Sequence, residues 1–454
     1  MKQTTLTTGN ITGSLLRFAF PMMVGNLLQQ LYNIVDTLIV GQFLGKEALA
    51  AVGSSYSLMT FLTSILLGLC MGSGVSFSIS FGKQEYDRMK SGIFMSFVMI
   101  GAAALLLSAA VFAGLDLILG LLCVPGDVYG LMREYLWVIF WGILATFLYN
   151  FFASLLRAVG NSTAPLLFLG IAALSNIGLD LLFIIRFHRG VRGAAEATIL
   201  SQYAAGFGIL LYTIIQFLQF RFKRKDLRWK PEVLREIFQL SFLTCIQQSV
   251  MNFGILMIQG LVNSFGAVVM AAFSVAVKID TFAYMPVQDF GNAFSTFVAQ
   301  NYGAGKTKRI REGIRSAVKT AFFFGAAVSA LVFVFARPLM LIFVKPQETE
   351  IIREGVRYLR IEGSFYYLIG FLFLCYGYYR AVKRPGMSLV LTVISLGTRV
   401  LLAYILSAVP QIGVTGIWAA VPIGWFLADL TGYLYYRNSQ DKLIKLRKCY
   451  GTEI

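Results

Sequence analysis

Twelve long apolar stretches, each able to cross a bilayer, constrain this chain more than any other feature. A helical crossing takes about 20 predominantly apolar residues. Such stretches run over 15–40, 54–80, 92–120, 134–156, 164–186, 193–220, 237–263, 267–300, 314–344, 356–379, 386–408 and 416–436, separated by Gly, Pro and clusters of charge. In hydrocarbon every backbone N–H and C=O must be satisfied inside the protein, which leaves helices or a closed barrel. Barrel strands would alternate in hydrophobicity over about ten residues, whereas these stretches are continuous. Composition agrees, with 57% of 454 residues hydrophobic and 13% charged, against about 25% charged in a soluble domain. The expected fold is an all-α membrane protein with twelve transmembrane helices.

The net charge of +17 invites a nucleic-acid reading. The Lys and Arg residues, however, gather in short connections between the apolar stretches, where the positive-inside rule places them. The connection 221–236 reads RFKRKDLRWKPEVLRE, while 264–266 and 409–415 on the opposite face hold no Lys or Arg. An even number of spans puts both termini on the basic face, so both are expected in the cytoplasm, with lipid and not nucleic acid around the protein. The polar start MKQTTLTTGNITGS leads straight into a full span, which is not the pattern of a cleavable signal peptide. Cys70, Cys123, Cys245, Cys375 and Cys449 form no CxxC pair and read as packing residues. His188 is the single histidine, so no metal site is expected.

The second half repeats the first. At an offset of 221, Gly45 falls on Gly266, Gly82 on Gly303, Arg88 on Arg309 and Gly92 on Gly313; at 223, Tyr135-Leu136 falls on Tyr358-Leu359 and Arg157-Ala158-Val159 on Arg380-Ala381-Val382. Each repeat holds six spans, so the two are parallel. The chain divides into an N-lobe over 1–220 (helices 1–6), a cytoplasmic linker over 221–236, and a C-lobe over 237–454 (helices 7–12 and a basic tail). Parallel repeats are a standard transporter construction. Two six-helix lobes around a central cleft are what alternating access needs, and a monomer suffices for it.

Polar residues inside the spans mark candidate sites. Asn26, Gln30, Asn33 and Thr37 share one face of span 1, with Gln29 beside them, and Gln248, Asn252, Gln259 and Asn263 do the same on span 7. These stripes either hydrogen-bond helix to helix or line a water-filled cavity. Asp36 in span 1 and Asp180 in span 5 are ionisable groups within a membrane span, a functional hypothesis by default. Asn176 lies one turn before Asp180, and Thr198 on span 6 lies at a similar depth, about 8–10 Å below the outer surface at 1.5 Å per residue. The structural alternative is an outer-end cap or ion pair; the favoured reading is a cation or proton site. At the offset of 223, Asn176, Asp180 and Thr198 map to Arg399, Ala403 and Val421, so this site is expected in the N-lobe alone. Arg399 is either a buried structural cation or a charge that repels cations from the other lobe. Asp280 and Asp289 are weaker candidates, as are Glu362 and Asp429. No nucleophile–base or metal set is visible, so catalysis and cofactors beyond a coupling ion are not expected. Gly305-Lys306-Thr307 looks like the tail of a phosphate loop, but Gln300 stands where that loop needs glycine.

Taken in order, these residues resemble the multidrug and toxic compound extrusion (MATE) family over nearly the whole chain. The carriers are Pro21, Val35-Asp36-Thr37, Gly41, Leu44-Gly45 and Ala50-Ala51. They continue with Arg157 through Ser162 and Pro165, then Asn176 and Asp180, Gly193-Ala194-Ala195, Thr198 and Ser201-Gln202. In the second half the carrier is Gln300-Asn301-Tyr302-Gly303-Ala304. The resemblance implies a cation-coupled exporter, by proton sooner than sodium, of amphipathic and often cationic small molecules across a bacterial plasma membrane. It carries Asp36, Asn176, Asp180 and Thr198 over as coupling-ion residues. Some members use an acid in span 7 with another in span 10; span 7 here has none. The rival reading, a lipid-linked sugar flippase of the same superfamily, calls for a strongly basic cavity for pyrophosphate, and deep within the spans the basic residues are chiefly Lys278 and Arg399.

Overall fold

Proline, glycine and capping residues divide the apolar stretches into helices. The structure, a computed structural model, describes residues 5–121, 124, 126–216, 226 and 229–450, with the backbone alone at 57, 255, 256 and 440–450. Every regular element among the described residues is helical. The first half contains α1 (Ile11–Leu44), α2 (Lys46–Gly82), α3 (Tyr86–Ala113), α4 (Leu115–Leu121), α5 (Gly126–Ile139), α6 (Gly142–Ala158), α7 (Thr163–Asp180) and α8 (Gly190–Gln216), with π turns over Leu181–Arg186 continuing α7. The second contains α9 (Pro231–Asn263), α10 (Ala267–Gly303), α11 (Thr307–Leu341), α12 (Thr349–Gly363), α13 (Tyr366–Ala381), α14 (Pro385–Ser407) and α15 (Val414–Tyr450). Ten of these elements are long and apolar enough to cross a bilayer singly. The pairs α5–α6 and α12–α13, bent by 44° and 51°, bring the number to twelve. Each corresponds to one apolar stretch of the sequence. Of the expected linker, 221–225, 227 and 228 lie outside the described residues, as does Cys123, and α9 already begins at Pro231.

The repeat extends to helix boundaries and backbone strain. The starts of α2 and α10 are 221 residues apart, as are those of α3 and α11, and the two bent pairs start 223 apart. Gly45 ends α1 with φ 88°, and Gly266, 221 residues on, has φ 94°. Gly160 with φ 87° is answered by Lys383 with φ 61°. That lysine bears a strain which glycine avoids in the first copy.

The chain forms two compact units. One comprises Met1–Ser249 with Thr296–Gly313, the other Val250–Ser295 with Ile314–Ile454. The first has a core rich in phenylalanine around Phe77, Phe140 and Phe151. Its helices meet at glycines. A Cβ on Gly72 of α2 would lie 2.4 Å from the Cα of Ser241 on α9, and one on Gly68 would lie 2.5 Å from the Cα of Cys245. One crossing is reciprocal. A Cβ on Gly82 would lie 2.0 Å from the carbonyl oxygen of Gln300, and one on Gly303 would lie 2.1 Å from that of Ile79. The N-terminal segment is strapped to this crossing. Leu6 is fully buried; its N–H donates to Gln300 Oε1 (3.1 Å) and its carbonyl accepts from Asn301 Nδ2 (3.2 Å). Arg309 donates to the carbonyls of Leu6, Thr8 and Gly9.

The second unit is built around stacked aromatics. Phe273 and Trp418 stack with ring centroids 5.4 Å apart, and Tyr358 meets Trp418 edge-on at 4.9 Å. Here α14 and α15 cross so closely that a Cβ on Gly424 would lie 2.4 Å from the carbonyl oxygen of Ser395. Large apolar side chains such as Leu106, Leu174 and Phe323 are exposed on the surface of this protein. In water they would be an aggregation hazard; lipid is their natural solvent.

Candidate functional site

The first unit holds a group of buried oxygen acceptors that have no hydrogen-bond partner. Asn176 and Asp180 lie one helical turn apart on the buried face of α7, in line with Ala172 and Ala173. At Asp180 the helix widens from α to π: the N–H of Phe187 bonds the carbonyl of Leu182, five residues back, at 3.1 Å. Such π turns are frequent at functional sites because they re-aim side chains. Asp180 is fully buried, and its carboxyl and that of Asp36 on α1 are near enough to act on each other electrostatically. Asn176 Nδ2 donates to Thr198 Oγ1 on α8 (3.3 Å), and that hydroxyl spends its own proton on the carbonyl of Ala194 (3.0 Å). The four residues expected from the sequence are therefore neighbours.

Both oxygens of Asp180, Oδ1 of Asp36 and Oδ1 of Asn176 are buried and unpartnered. Ionised carboxylates only accept hydrogen bonds, so two of them can bond each other only through a proton or across a bound cation. Among the described residues neither aspartate forms an ion pair with an Arg or Lys. Buried oxygens without a hydrogen-bond partner, and without an ion-pair partner among the described residues, are a place for a hard cation or for protons.

One neighbour escaped sequence reasoning as a site residue. Tyr135 on α5 is buried and near enough to Asp36 and Asp180 for their charges to act on it. It appeared in the sequence only as a marker of the repeat. Its counterpart Tyr358 is likewise buried and lies near a pair of acids, Asp280 and Glu362. The recurring tyrosine was the available signal.

The polar stripes are placed as follows. On α1, Asn26, Gln30 and Asn33 are partly exposed, and Thr37 bonds back to the carbonyl of Asn33 (2.8 Å). On α9, Gln248 is buried and Asn252 partly exposed; Gln259 Nε2 donates to Asn263 Oδ1 (2.8 Å), one turn on. Asp289 on α10 is buried. The second half also has a buried acid pair, which the repeat did not foretell. Asp280 on α10 and Glu362 on α12 are both buried and near enough for their charges to act on each other. Their counterparts in the first repeat are Met59 and Ile139, so the pair uses other helices than the Asp36–Asp180 pair. Only the packing of α10 against α12 brings together residues so far apart in sequence.

A family model described as MatE matches residues 21–182 and 241–405, one segment in each repeat. The chain is similar to a probable multidrug resistance protein, YpnP, of Bacillus subtilis, with 32% identity over 98% of this chain and 99% of the relative. It is also similar to the probable multidrug resistance protein NorM of Thermotoga maritima, with 28% identity over 90% of this chain and 88% of that one. Among solved structures, an outward-facing multidrug resistance MATE transporter superposes with a TM-score of 0.90 at 24% identity, covering 98% of this chain and 99% of the other. A superfamily relative from Pyrococcus furiosus gives the same score. At that identity the structures speak to the fold; the matched family model and the 32% relative speak to descent. This chain is a multi-pass membrane transporter, not an enzyme, and belongs to the MatE family.

Proposed function

We propose that this transporter is a cation-coupled antiporter that exports amphipathic, often cationic, small molecules by alternating access, with protons as the coupling ion at Asp36 and Asp180. The observation that supports this most directly is the pair of carboxyls, Asp180 fully and Asp36 partly buried, whose buried oxygens have no hydrogen-bond partner and which form no ion pair among the described residues. Moving a monocation outward against an inside-negative potential costs about 2.3 kcal/mol per 100 mV. One inward proton only cancels that charge movement. Two let the potential drive export, and two carboxyls can carry two protons. Asn176 and Thr198 complete the oxygen shell. The polar stripes, Asn26, Gln30 and Asn33 on α1 with Gln248, Asn252 and Gln259 on α9, supply adaptable contacts for unrelated substrates. The names of the relatives, multidrug resistance and export proteins, agree with this substrate class.

The test is transport of cationic dyes in vesicles with imposed gradients. A proton gradient is expected to drive dye movement, and Asp36→Asn or Asp180→Asn to uncouple it. Full gradient-driven transport in both variants would reject the assignment. A sodium gradient that drives transport at zero proton gradient would replace the proton by sodium.

A further inference from the structure

We propose that the segment before α1 is a latch, which must leave Gln300, Asn301 and Arg309 before the crossing of α2 and α10 can part toward the cytoplasm. This rests on the alternating access proposed above. The Gln300-Asn301 motif of the sequence has no part in the acid site. It grips one residue of the segment by its backbone. Gln300 Oε1 accepts from the N–H of Leu6 (3.1 Å), and Asn301 Nδ2 donates to the carbonyl of the same residue (3.2 Å). The two amides serve Leu6 as a neighbouring strand would. Both are fully buried and anchored elsewhere. Gln300 Nε2 donates to the carbonyl of Ala158 at the end of α6, and Asn301 Nδ2 to that of Phe297, each at 2.8 Å. Lys306 donates to the carbonyl of Thr7 (2.9 Å), and Arg309 to those of Thr8 (2.7 Å) and Gly9 (2.8 Å).

The grip is suited to release. Over residues 5–10 only the Leu6 side chain is buried, so departure uncovers one side chain. Gly9, with φ 76°, turns the chain between segment and helix. Asn10 caps α1 independently, its Oδ1 accepting from the N–H of Gly13 (3.0 Å), so the segment can leave without unwinding α1. Its position makes departure consequential: the carbonyl oxygen that meets Gly82 at the crossing belongs to Gln300 itself. The first repeat has a counterpart of different chemistry. At the offset of 221, Gln300 and Asn301 fall on Ile79 and Ser80, and Arg309 falls on Arg88. Arg88 Nη2 pairs with Glu236 Oε2 (2.7 Å) near the start of α9, the helix that opens the second repeat as α1 opens the first. Each arginine thus holds the entry to the other repeat, Arg88 through a side-chain ion pair and Arg309 through backbone carbonyls. Paired contacts of this kind are what a two-state closure makes and breaks.

The reporter is Cys245 on α9, packed on Gly68 of α2 in a protein whose other cysteines are replaced. It lies nine residues beyond Glu236, about 14 Å along the helix. Its alkylation by a charged maleimide, applied to the cytoplasmic face in inside-out vesicles, needs no substrate. Leu6→Asp, which puts a charge in the buried site, and Arg309→Gln should each speed alkylation about tenfold, as the loss of a hydrogen bond to a charged group predicts. Leu6 lies outside every helix, so Leu6→Asp decides the matter even where Arg309→Gln does not fold. In the second arm, Thr7→Cys/Lys306→Cys in a protein free of other cysteines is joined by a short bismaleimide with a central disulfide. Linking should stop dye transport, and reduction of the linker should restore it. Unchanged alkylation in Leu6→Asp overturns the latch, as does full transport through the linked protein. A protein that moves no dye even unlinked fails the exporter reading, while the alkylation rates still decide the latch.

Discussion

Hydrogen-bond capacity ranks the residues of the first acid site. Asp180 is fully buried and has two open oxygens; Asn176 is anchored through Thr198. Asp180→Asn replaces one oxygen by a donor, which can satisfy Asp36 with no proton at all. Gradient-driven dye efflux is expected to fall at least tenfold, while surface expression stays near wild type. Thr198→Val keeps the shape but leaves Asn176 Nδ2 unpaired, a loss of about 1–3 kcal/mol for a buried donor. Its efflux should fall less than that of Asp180→Asn, with the residual transport still gradient-dependent. Equal loss in the two variants, measured side by side in vesicles, would mean that Thr198 does more than position Asn176. The Asp36, Asn176, Asp180 and Thr198 set was legible because charge inside an apolar span stands out. Tyr135 was not, because a tyrosine in such a span is ordinary until its neighbours are known.

Among the helices, glycine decides which can touch. At Gly82 and Gly303 an added Cβ would fall about 2 Å from a backbone carbonyl oxygen, which no rotamer change relieves. Gly82→Ala and Gly303→Ala are each expected to cost more than the ~1–3 kcal/mol of ordinary overpacking, read as a lowered melting temperature or failed expression. Gly170 on α7 has nothing within 4 Å of its Cβ position. Gly170→Ala should be neutral or slightly stabilising, since alanine is the better helix former. If all three variants melted alike, the close crossing would carry no special energy. The sequence showed these glycines as repeat markers at an offset of 221 but gave no sign that they face one another.

For the molecule in its membrane, two outcomes follow. The basic connections predict cytoplasmic termini, so single cysteines at Lys306 and Gln347 should label from opposite sides of intact cells, the latter from outside. Labelling of both from one side would refute the topology. The N-terminal segment is the second case, for its carbonyls are held chiefly by Arg309. A hydrogen bond to a charged group contributes about 1.5–3 kcal/mol, so Arg309→Gln should release the segment before α1 and speed its proteolysis about tenfold. An unchanged cleavage rate would show that burial of Leu6 alone anchors it.

The sequence by itself determined the solvent, the number of crossings, the repeat and the first acid site. Each depends on local composition: apolar length, basic connections, a recurring offset, and charge where lipid forbids it. Tertiary structure alone decided the bends at α5–α6 and α12–α13, the π turn at Asp180 and the reciprocal crossing of Gly82 with Gly303. It also decided that the buried acids Asp280 and Glu362 come near each other. These depend on which helix faces which, and a pattern of apolar residues along one helix does not encode the identity of its neighbour when lipid and protein interior are equally apolar.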